Sequence, residues 1–399
     1  MISVSEARAQ ILAHLRPTQA EIIPLSAATH RILAAPVAAR LTQPPHDLSA
    51  MDGFALRAAD AQQPLTLIGE APAGHPFAGE IGPGQAVRLY TGSVVPAGAD
   101  CVMLQEDATV AGDQVRFSIS AKLGKHIRRQ GQDFSTGEIL LTPGTRLTPR
   151  AIGLAAAANH PWLSVHRQPI IAILATGDEI ALPGTPIPPG GIISSNAHAL
   201  AGFIRNQGGI PLILPIAADQ RDAISAAAAG AAHADLLITT GGASVGAHDL
   251  VRAALAEHGF DQNFWTIAMR PGKPLMFGHL GALPVLGLPG NPVSALICAL
   301  LFAAPAIQRL SGLPGNPPTT SLAITTTALP ANDHRADHLR ACLTRHADGT
   351  LHVTPFTTQD SAMMRRLTQA DALLLRAPNA PAIQAGTTVE IIDLHHNGL

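Results

Sequence analysis

The chain contains little cysteine, few aromatic residues and few charges. Of its 399 residues, three are cysteine, 3% are aromatic and 14% are charged, and the net charge is −2. The cysteines form no zinc or redox motif, and their sparse, odd number suits a reducing compartment. The scarcity of aromatics argues against a platform that stacks single-stranded bases, and the charge balance argues against a generally basic nucleic-acid binder.

A membrane span and a leader pattern are also missing. The longest apolar stretch, residues 295–307, is shorter than a bilayer crossing and contains Pro305. The first residues carry neither the positive segment nor the apolar segment of a signal peptide. We therefore expect a cytoplasmic protein that has no membrane partner and binds no nucleic acid.

The pattern of apolar residues and turn residues changes along the chain. Ser3 and Glu6 form a capping-box pattern that predicts an opening helix, and a second helix is expected over residues 27–33. From Pro44 onward, short apolar runs between Gly and Pro turns predict a β-rich region. Residues 169–310 alternate between apolar strands and helical segments, which predicts a doubly wound, mostly parallel sheet. Short alternating runs then predict a C-terminal β region.

Three glycine- and proline-rich loops lie in the α/β segment: residues 239–246 (Thr-Thr-Gly-Gly-Ala-Ser-Val-Gly), 269–274 (Met-Arg-Pro-Gly-Lys-Pro) and 287–295 (Gly-Leu-Pro-Gly-Asn-Pro-Val-Ser-Ala). Glycines between a strand and a helix let backbone N–H groups converge on an anion. The second loop adds the cations Arg270 and Lys273, which suit an oxyanion or a phosphate. Together the loops predict a site for a large phosphate-bearing ligand, although each loop alone is also explained as an ordinary turn or surface loop.

Polar side chains add to these loops. Ser244 is a candidate to bond a phosphate oxygen, and its alternative is a β-turn serine. Thr91 offers a hydroxyl and an N–H to a ligand, although a Thr-Gly pair is also a common turn. Asn291 is expected to cap the helix that Pro292 begins, and such a cap directs backbone N–H groups at a ligand.

Acidic residues recur at predicted loop positions. Carboxylates on loops at strand ends are natural ligands for a hard cation such as Mg²⁺, and turn formation is the alternative for each of them. Glu179 follows a buried strand, where open α/β sheets bind ligands, which favours a functional role. Asp219 is expected to cap a helix. The remaining acidic loop residues are Asp52, Asp133, Asp178 and Asp249.

Several catalytic motifs do not occur in the sequence. It has no His-Glu-x-x-His, no Gly-x-Ser-x-Gly and no Walker loop, and nothing marks a protein nucleophile. The chemistry that the residues predict is therefore cation-assisted handling of a phosphoanhydride rather than covalent catalysis.

The ordered set of motifs resembles one known family. It comprises Pro-Pro-His-Asp-Leu-Ser-Ala-Met-Asp-Gly at 44–53, Thr-Gly at 91–92, Gly-Gln-Asp at 131–133, Thr-Gly-Asp-Glu at 176–179, Ser-Asn at 195–196 and the three loops above. In this order and over nearly the whole chain, the motifs resemble the molybdopterin molybdenumtransferase (MoeA) family, which includes the E domain of gephyrin. The set is specific, whereas each piece alone is not.

The resemblance implies a multidomain α/β fold in an elongated homodimer of four-domain subunits. In this chain the N-terminal mixed α/β domain is expected to comprise residues 1–43 and 135–168, with a β-rich domain of residues 44–134 inserted. The central doubly wound, mostly parallel α/β domain is expected at residues 169–314, and the C-terminal β domain at 315–399. Further partners that the resemblance suggests are the molybdopterin adenylyltransferase and apo-molybdoenzymes.

The resemblance also implies a reaction. Molybdenum from molybdate is inserted into adenylylated molybdopterin, a divalent cation (Mg²⁺) assists cleavage of the phosphoanhydride, and AMP is released. The residues implied for catalysis are Asp52, Thr91, Asp133, Glu179 and Asp249, of which Glu179 and Asp249 are expected to hold the metal ion. Those expected to bind the pterin nucleotide or molybdate are Gly241, Gly242, Ser244, Gly246, Arg270, Lys273, Pro289, Asn291, Asp219, Arg340 and Ser361. Because the family site combines two subunits, Asp52, Thr91, Arg340 and Ser361 are expected to act across the dimer interface.

Two residues depart from the family pattern. Thr266 stands where members commonly have a lysine, and Arg270 replaces the next lysine. Arg270 keeps the positive charge and Thr266 does not, which is expected to weaken oxyanion affinity and with it the activity, and Lys273 is expected to offset this loss in part. Two alternatives stay open: an enzyme like the molybdopterin adenylyltransferase, and a non-catalytic scaffold or paralogue of the family. The preference for molybdate or tungstate is not set by the sequence.

Overall fold

A computed structural model describes residues 1–241 and 250–399. The chain divides into two compact units. One comprises Met1–Glu21, His30–Ala34 and Ser164–Leu399, and the other comprises Ile22–Thr29 and Ala35–Leu163. The candidates that lie outside the described residues are Gly242, Ser244, Gly246 and Asp249.

The opening helix is confirmed. Helix α1 spans Val4–Ala13, and Ser3 caps it: the Ser3 hydroxyl accepts a hydrogen bond from the Glu6 N–H, and the Glu6 carboxylate accepts one from the Ser3 N–H. The helix expected over residues 27–33 is wrong. The chain there forms one 3₁₀ turn, Leu25–Ala27, and Leu33 is buried and makes a β-bridge with Val165. A distant tertiary contact overrides the local pattern.

The first part of the chain is rich in short strands. Six of them form one sheet, in the order Cys101–Leu104, Gly53–Leu56, Gln85–Leu89, Leu65–Ala71, Gln114–Phe117 and Ala108–Ala111. Every neighbouring pair is antiparallel except Gln85–Leu89 with Leu65–Ala71. The β-rich region predicted from the turn spacing is therefore present. The elements are β1 Ala20–Pro24, β2 Val37–Ala38, β3 Leu48–Ser49, β4 Gly53–Leu56, β5 Leu65–Ala71, β6 Gln85–Leu89, β7 Cys101–Leu104, β8 Ala108–Ala111, β9 Gln114–Phe117, β10 Ile127–Arg128, β11 Ile139–Leu141, α2 Pro149–Ala157 and β12 Trp162–His166, with 3₁₀ turns at Ala58–Asp60 and Gln105–Asp107.

The larger unit contains the predicted α/β alternation. Its elements are β13 Ile170–Ala175, β14 Ile180–Ala181, β15 Ile192–Ile193, α3 Asn196–Asn206, β16 Ile210–Ile213, α4 Arg221–Ala229, β17 Leu236–Thr240, α5 Leu250–Glu257, β18 Phe260–Thr266, β19 Met269–Arg270, β20 Pro274–Leu280 and β21 Leu283–Leu288. The central sheet has the order β16-β13-β17-β21-β20-β18. Its first four strands are parallel, and β20 and β18 add an antiparallel edge. The α/β fold class is thus confirmed, and this edge was not predicted.

Side chains of the central strands alternate between two cores. Ile171 and Ile173 of β13 pack in one cluster, whereas Ala172 and Leu174 pack in the other. This alternation shows that both faces of the sheet are covered, as a doubly wound fold requires.

One long helical segment follows the sheet. It runs through helix α6 (Pro292–Cys298), a π-helical turn (Ala299–Ala303) and helix α7 (Ala304–Leu310). This helical segment is longer than the apolar run of residues 295–307, and its 19 residues and mean hydropathy of 1.8 would allow a bilayer crossing by length and composition. However, 89% of it is buried within the protein, which identifies it as a core helix.

The C-terminal β region closes on itself. Its elements are β22 Thr320–Thr325, β23 Ala336–Arg345, β24 Leu351–Pro355, α8 Met364–Thr368, β25 Ala372–Arg376 and β26 Thr388–Asp393. The pairing runs β23-β24-β22-β26-β25 and returns to β23, which makes a small barrel. Strand β19 joins this sheet in parallel with β23. The four domain boundaries given above stay a prediction.

A matched pair of isoleucines tests the packing of the central sheet. Ile173 and Ile213 are register partners on β13 and β16, and their exposed fractions are 0% and 43%. We expect Ile173→Ala to lower the free energy of unfolding by about 2–5 kcal/mol, because it opens a cavity in the core. Ile213→Ala should cost less than about 1 kcal/mol. Urea denaturation followed by circular dichroism measures both, and equal losses would contradict the assigned burial.

Candidate functional site

The loops that follow three parallel strands meet at one edge of the central sheet. Thr176 follows β13, Gly241 follows β17 and Gly290 lies after β21. A Cβ atom built on Gly241 would lie 2.6 Å from the Thr176 carbonyl oxygen, and one on Gly290 would lie 3.5 Å from Gly241 Cα. Gly241 also has φ = +94°, so the backbone geometry and the close approach both require glycine.

This edge contains the switch point of the sheet. From β13 the chain continues to β16 on one side and then to β17 on the other, so the connections diverge between β13 and β17. Open α/β sheets bind ligands outside the carboxyl ends of such strands. Thr176 and Gly241 lie at this point, and the Thr176 hydroxyl is buried without a hydrogen-bond partner among the described residues. It is therefore a donor that a ligand can satisfy.

Asn196 joins two of these loops. It is the first residue of α3, and its Nδ2 donates to Thr240 Oγ1 and to the Gly290 carbonyl oxygen, each at 2.7 Å. The Thr240 hydroxyl in turn donates to the Pro289 carbonyl oxygen at 3.5 Å. The ends of β17 and β21 are thus bonded to each other through side chains.

Three carboxylates surround the loop after β13. The Glu179 carboxylate lies over Gly177, since a Cβ built there would be 2.5 Å from its nearer oxygen. Asp178 Oδ1 accepts a hydrogen bond from the Asp219 N–H at 2.9 Å. Burial, followed by the negative charges of Asp178 and Glu179, raises the pKa of Asp219. The expected helix-capping role of Asp219 is wrong, because the N-cap of α4 is Gln220.

A metal ion has no complete set of protein ligands among the described residues, where no group of three or more His, Cys, Asp or Glu side chains is placed to hold one. The chemistry of the carboxylates around Asp219 nevertheless suits a hard cation. Mg²⁺ is usually held by one or two carboxylates together with substrate phosphates. The assignment of Glu179 and Asp249 as metal ligands stays a prediction, since Asp249 lies outside the part of the chain that is described.

Arg270 is engaged by carboxylates. Its Nε donates to Asp337 Oδ1 at 2.8 Å, its Nη2 donates to Asp337 Oδ2 at 2.5 Å, and its Nη1 lies 3.6 Å from Asp333. The hydrogen bond with Asp337 raises the pKa of Arg270, and the pair neutralises its charge. Lys273 is exposed, and its ammonium has no partner within residues 1–241 and 250–399. Of the two predicted cations, Lys273 is therefore the one available to an anion.

Arg340 is a buried anchor. Its side chain is 1% exposed, and its guanidinium donates to the Asp360 and Met363 carbonyl oxygens at 2.9 and 3.3 Å. Burial lowers the pKa of Arg340. These bonds hold the loop that carries Ser361. Arg340 therefore affects a site in this chain by positioning that loop.

Ser361 connects the C-terminal region to the third glycine-rich loop. Its Oγ accepts a hydrogen bond from Asn291 Nδ2 at 2.8 Å, and its carbonyl oxygen accepts one from the Val293 N–H at 3.1 Å. Asn291 is the N-cap residue of α6 and Pro292 is the first helical residue, as expected. The Asn291 side chain, however, bonds Ser361 instead of capping the helix.

The smaller unit holds Asp52, Thr91 and Asp133. Asp52 Oδ1 accepts hydrogen bonds from both the N–H and the hydroxyl of Thr91, each at 2.7 Å. These two bonds lower the pKa of Asp52. Asp133 is exposed and forms no hydrogen bond with either residue within Ala35–Leu163, all of which is described. The structure therefore brings Asp52 and Thr91 together and leaves the Asp133 carboxylate free.

Two residues of the larger unit were given no role from the sequence. Asn196 stands in a Ser-Asn pair that follows a loop and begins a helix, a pattern that signals a turn but not its partners. Asp337 is buried opposite Arg270 because β19 and β23 pair in register. No local sequence signal marks that pairing.

The fold and this edge define a multidomain protein built around a doubly wound α/β ligand-binding core. The chain belongs to the MoeA family. Residues 2–159 match the MoeA N-terminal region (domain I and II), residues 172–309 match a probable molybdopterin binding domain, and residues 323–394 match the MoeA C-terminal region (domain IV).

Relatives cover the whole chain. A molybdopterin molybdenumtransferase of Haemophilus influenzae is 35% identical over 402 residues, which is 99% of each chain. The molybdopterin molybdenumtransferase 2 of Mycobacterium tuberculosis is 34% identical over 99% of this chain and 100% of its own. The molybdopterin biosynthesis MoeA protein from Pyrococcus horikosii superposes with a TM-score of 0.86 at 26% identity, over 98% of this chain and 99% of its own. Relatives that match end to end thus carry the name of a transferase.

The contact of Thr91 with Asp52 can be tested by titration. Thr91→Val removes the hydroxyl donor and keeps the backbone N–H, so we expect the pKa of Asp52 to rise. Since the pKa is depressed in the folded state, the stability that Asp52 contributes is lost as pH falls, and the variant should lose it at higher pH. Carbon-13 NMR of labelled aspartates measures the change. Thr109→Val, in an exposed strand, is the control, and an unchanged Asp52 titration in Thr91→Val would refute the assignment.

Proposed function

We propose that this protein inserts molybdenum from molybdate into adenylylated molybdopterin, with cation-assisted cleavage of the phosphoanhydride and release of AMP. The end-to-end match to relatives named molybdopterin molybdenumtransferase carries this proposal. The glycine-rich edge of the central sheet, with carboxylates beside it, supports it physically. The step belongs to molybdenum cofactor biosynthesis.

The pterin nucleotide binds at the edge where the loops meet. Gly241 provides close backbone approach, and the loop of Pro289 and Asn291 leads into the N-terminus of α6. Gly242, Ser244 and Gly246 of the first loop, which lie outside the described residues, would complete the phosphate cradle. The sulfur ligands of molybdenum belong to the pterin, so the protein itself needs no cysteine cluster.

The carboxylates serve the cation. A bound Mg²⁺ would neutralise charge on the phosphoanhydride and favour departure of AMP. Glu179 and Asp249 would hold it. Burial first, and then the negative charges of Asp178 and Glu179, raise the pKa of Asp219, and these negative charges favour a cation there. Asp52, Thr91 and Asp133 complete the proposed catalytic set.

Molybdate needs a free positive charge. Asp337 neutralises Arg270, and Thr266 has no charge, so Lys273 supplies the attraction for the oxyanion. Thr266 and Lys273 lie on facing segments: Thr266 pairs with Pro274, and the Ile267 N–H donates to the Lys273 carbonyl oxygen at 3.1 Å. Lys273 therefore stands close to the position where family members commonly have a lysine.

The protein is proposed to act as a cytoplasmic homodimer. In this arrangement Asp52 and Thr91 contribute across the interface to the partner subunit's site. The expectation that Arg340 and Ser361 also do so is not kept, because Ser361 bonds Asn291 of its own chain and Arg340 holds the loop of Ser361. The molybdopterin adenylyltransferase would supply the substrate, and apo-molybdoenzymes would accept the product. Both are protein partners of the proposed pathway step.

Two other functions have less support. An enzyme like the adenylyltransferase would need only the α/β core, whereas the relatives above match the flanking regions as well. A scaffold without catalysis would not require a carboxylate cluster beside the glycine-rich edge. A lack of molybdate-dependent AMP release in the assay below would favour the scaffold.

The first experiment measures AMP release from adenylylated molybdopterin with Mg²⁺, in the presence and absence of molybdate, together with molybdenum bound to the pterin. We expect molybdate-dependent AMP release with metal insertion. Glu179→Gln should slow it on the order of 10²-fold, because electrostatic stabilisation at the reacting phosphate is lost. Glu257→Gln, which breaks an exposed pair with Arg221, is the control. Absence of turnover in the unmodified protein with ligand binding intact would reject the proposed function.

The role of Lys273 is tested through the molybdate concentration that gives half-maximal AMP release. We expect Lys273→Ala to raise it about tenfold, because one charge-assisted contact to the dianion is removed. Thr266→Lys should lower it by adding a cation. If both variants keep the wild-type molybdate dependence, these positions do not bind the oxyanion.

A further inference from the structure

Asn196 is the one residue in the described part of the edge whose side chain bonds the ends of two strands at once. A single Nδ2 atom donates to Oγ1 of Thr240, the last residue of β17, and to the Gly290 carbonyl oxygen after β21, both at 2.7 Å. An amide nitrogen carries two hydrogens, so both bonds form simultaneously. One planar group thus links the end of β17 to the loop after β21, beyond the last register pair, Thr240 with Leu288.

Gly241 lies next to both residues that accept these hydrogen bonds. It directly follows Thr240, and Gly290 approaches it so closely that a Cβ on Gly290 would lie 3.5 Å from Gly241 Cα. Thr240 is 2% exposed and also donates to the Pro289 carbonyl oxygen. A change in the spacing of these loops would therefore shift Gly241, where the pterin nucleotide is proposed to bind.

Helix α3 does not depend on Asn196 for its place in the fold. Its inner face is buried through Leu200, Phe203 and Ile204. At its far end, Asn206 Nδ2 donates to the Gly398 carbonyl oxygen at 3.2 Å. The loss of the Asn196 amide should therefore leave the global stability nearly unchanged.

From these contacts we infer that Asn196 is a positioning residue for the pterin-nucleotide site. Its carboxamide fixes the spacing of the loops after β17 and β21 and so holds Gly241 in place for the ligand. The inference rests on the proposed function for its kinetic consequence, whereas its structural consequence is independent of that function.

Three variants separate positioning from simple structural support. Asn196→Ala removes both hydrogen bonds, and Asn196→Asp keeps the shape but has no N–H to donate and opposes a carboxylate to the Gly290 oxygen. Asn206→Ala is the matched control, because it removes an amide-to-carbonyl bond from the other end of the same helix. Thr240→Val, which deletes one of the two acceptors, provides an independent variant.

Two readouts are measured for each variant and for the unmodified protein. Amide hydrogen exchange of peptides that contain residues 236–241 and 287–292 should be faster in both Asn196 variants and, to a smaller extent, in Thr240→Val. The KM for adenylylated molybdopterin should rise about tenfold in Asn196→Ala, with Tm close to that of the unmodified protein. Asn206→Ala should change neither the exchange at these loops nor KM.

The outcomes distinguish the two proposals. Unchanged exchange in these peptides of Asn196→Ala and Thr240→Val overturns the positioning role, whatever the activity. Faster exchange with an unchanged KM also overturns it, since the loops would then move without affecting the ligand. Failure of the unmodified protein to release AMP rejects the proposed function, and the exchange measurements still decide whether Asn196 sets the loop spacing.

Discussion

The structure of the candidate site depends on how closely the backbone after β17 approaches the backbone after β13. Gly241 packs against the Thr176 carbonyl oxygen at a distance that excludes any side chain. The parallel register of β13, β17 and β21 brings their carboxyl ends to the same edge, and two buried cores hold that register from both faces. Because the contact is made by backbone atoms, it requires glycine at residue 241, and the hydrogen bonds of the surrounding polar side chains add to it.

Hydrogen bonds extend this edge into the C-terminal region. Asn196 joins the loops after β17 and β21, Asn291 bonds Ser361, and Arg340 holds the loop that contains Ser361. Arg340 is buried with its guanidinium bonded to backbone carbonyls, so its charged group stabilises the conformation of a loop. The residue was predicted to bind the ligand because a motif marks its importance, and a motif does not distinguish contact from support.

Local signals predicted the parallel part of the fold well. Strands β13, β17 and β21 lie within the alternation that the sequence predicts over residues 169–310, because they are apolar and buried. Strand β18 was missed, since Asp261, Gln262 and Asn263 interrupt its apolar pattern at an antiparallel edge. The pairs Asn196–Gly290 and Arg270–Asp337 lie 94 and 67 residues apart, and no local pattern predicts such contacts. Glu179 and Gly241 became candidates because strand ends are recognisable in sequence, and the structure places both at the ends of parallel strands.

The distribution of charge at the edge constrains how the proposed reaction can proceed. Asp178, Glu179 and Asp219 lie together, and their mutual repulsion adds to burial in raising the pKa of Asp219. Molybdate and a phosphoanhydride are anions, and carboxylates alone would repel them. Under the proposed function, a divalent cation must therefore enter with the nucleotide, and the free charge of Lys273 must serve the oxyanion separately. The bidentate pairing of Arg270 with Asp337 removes the other cation of the second loop from this role, so the divalent cation and the oxyanion depend on different residues.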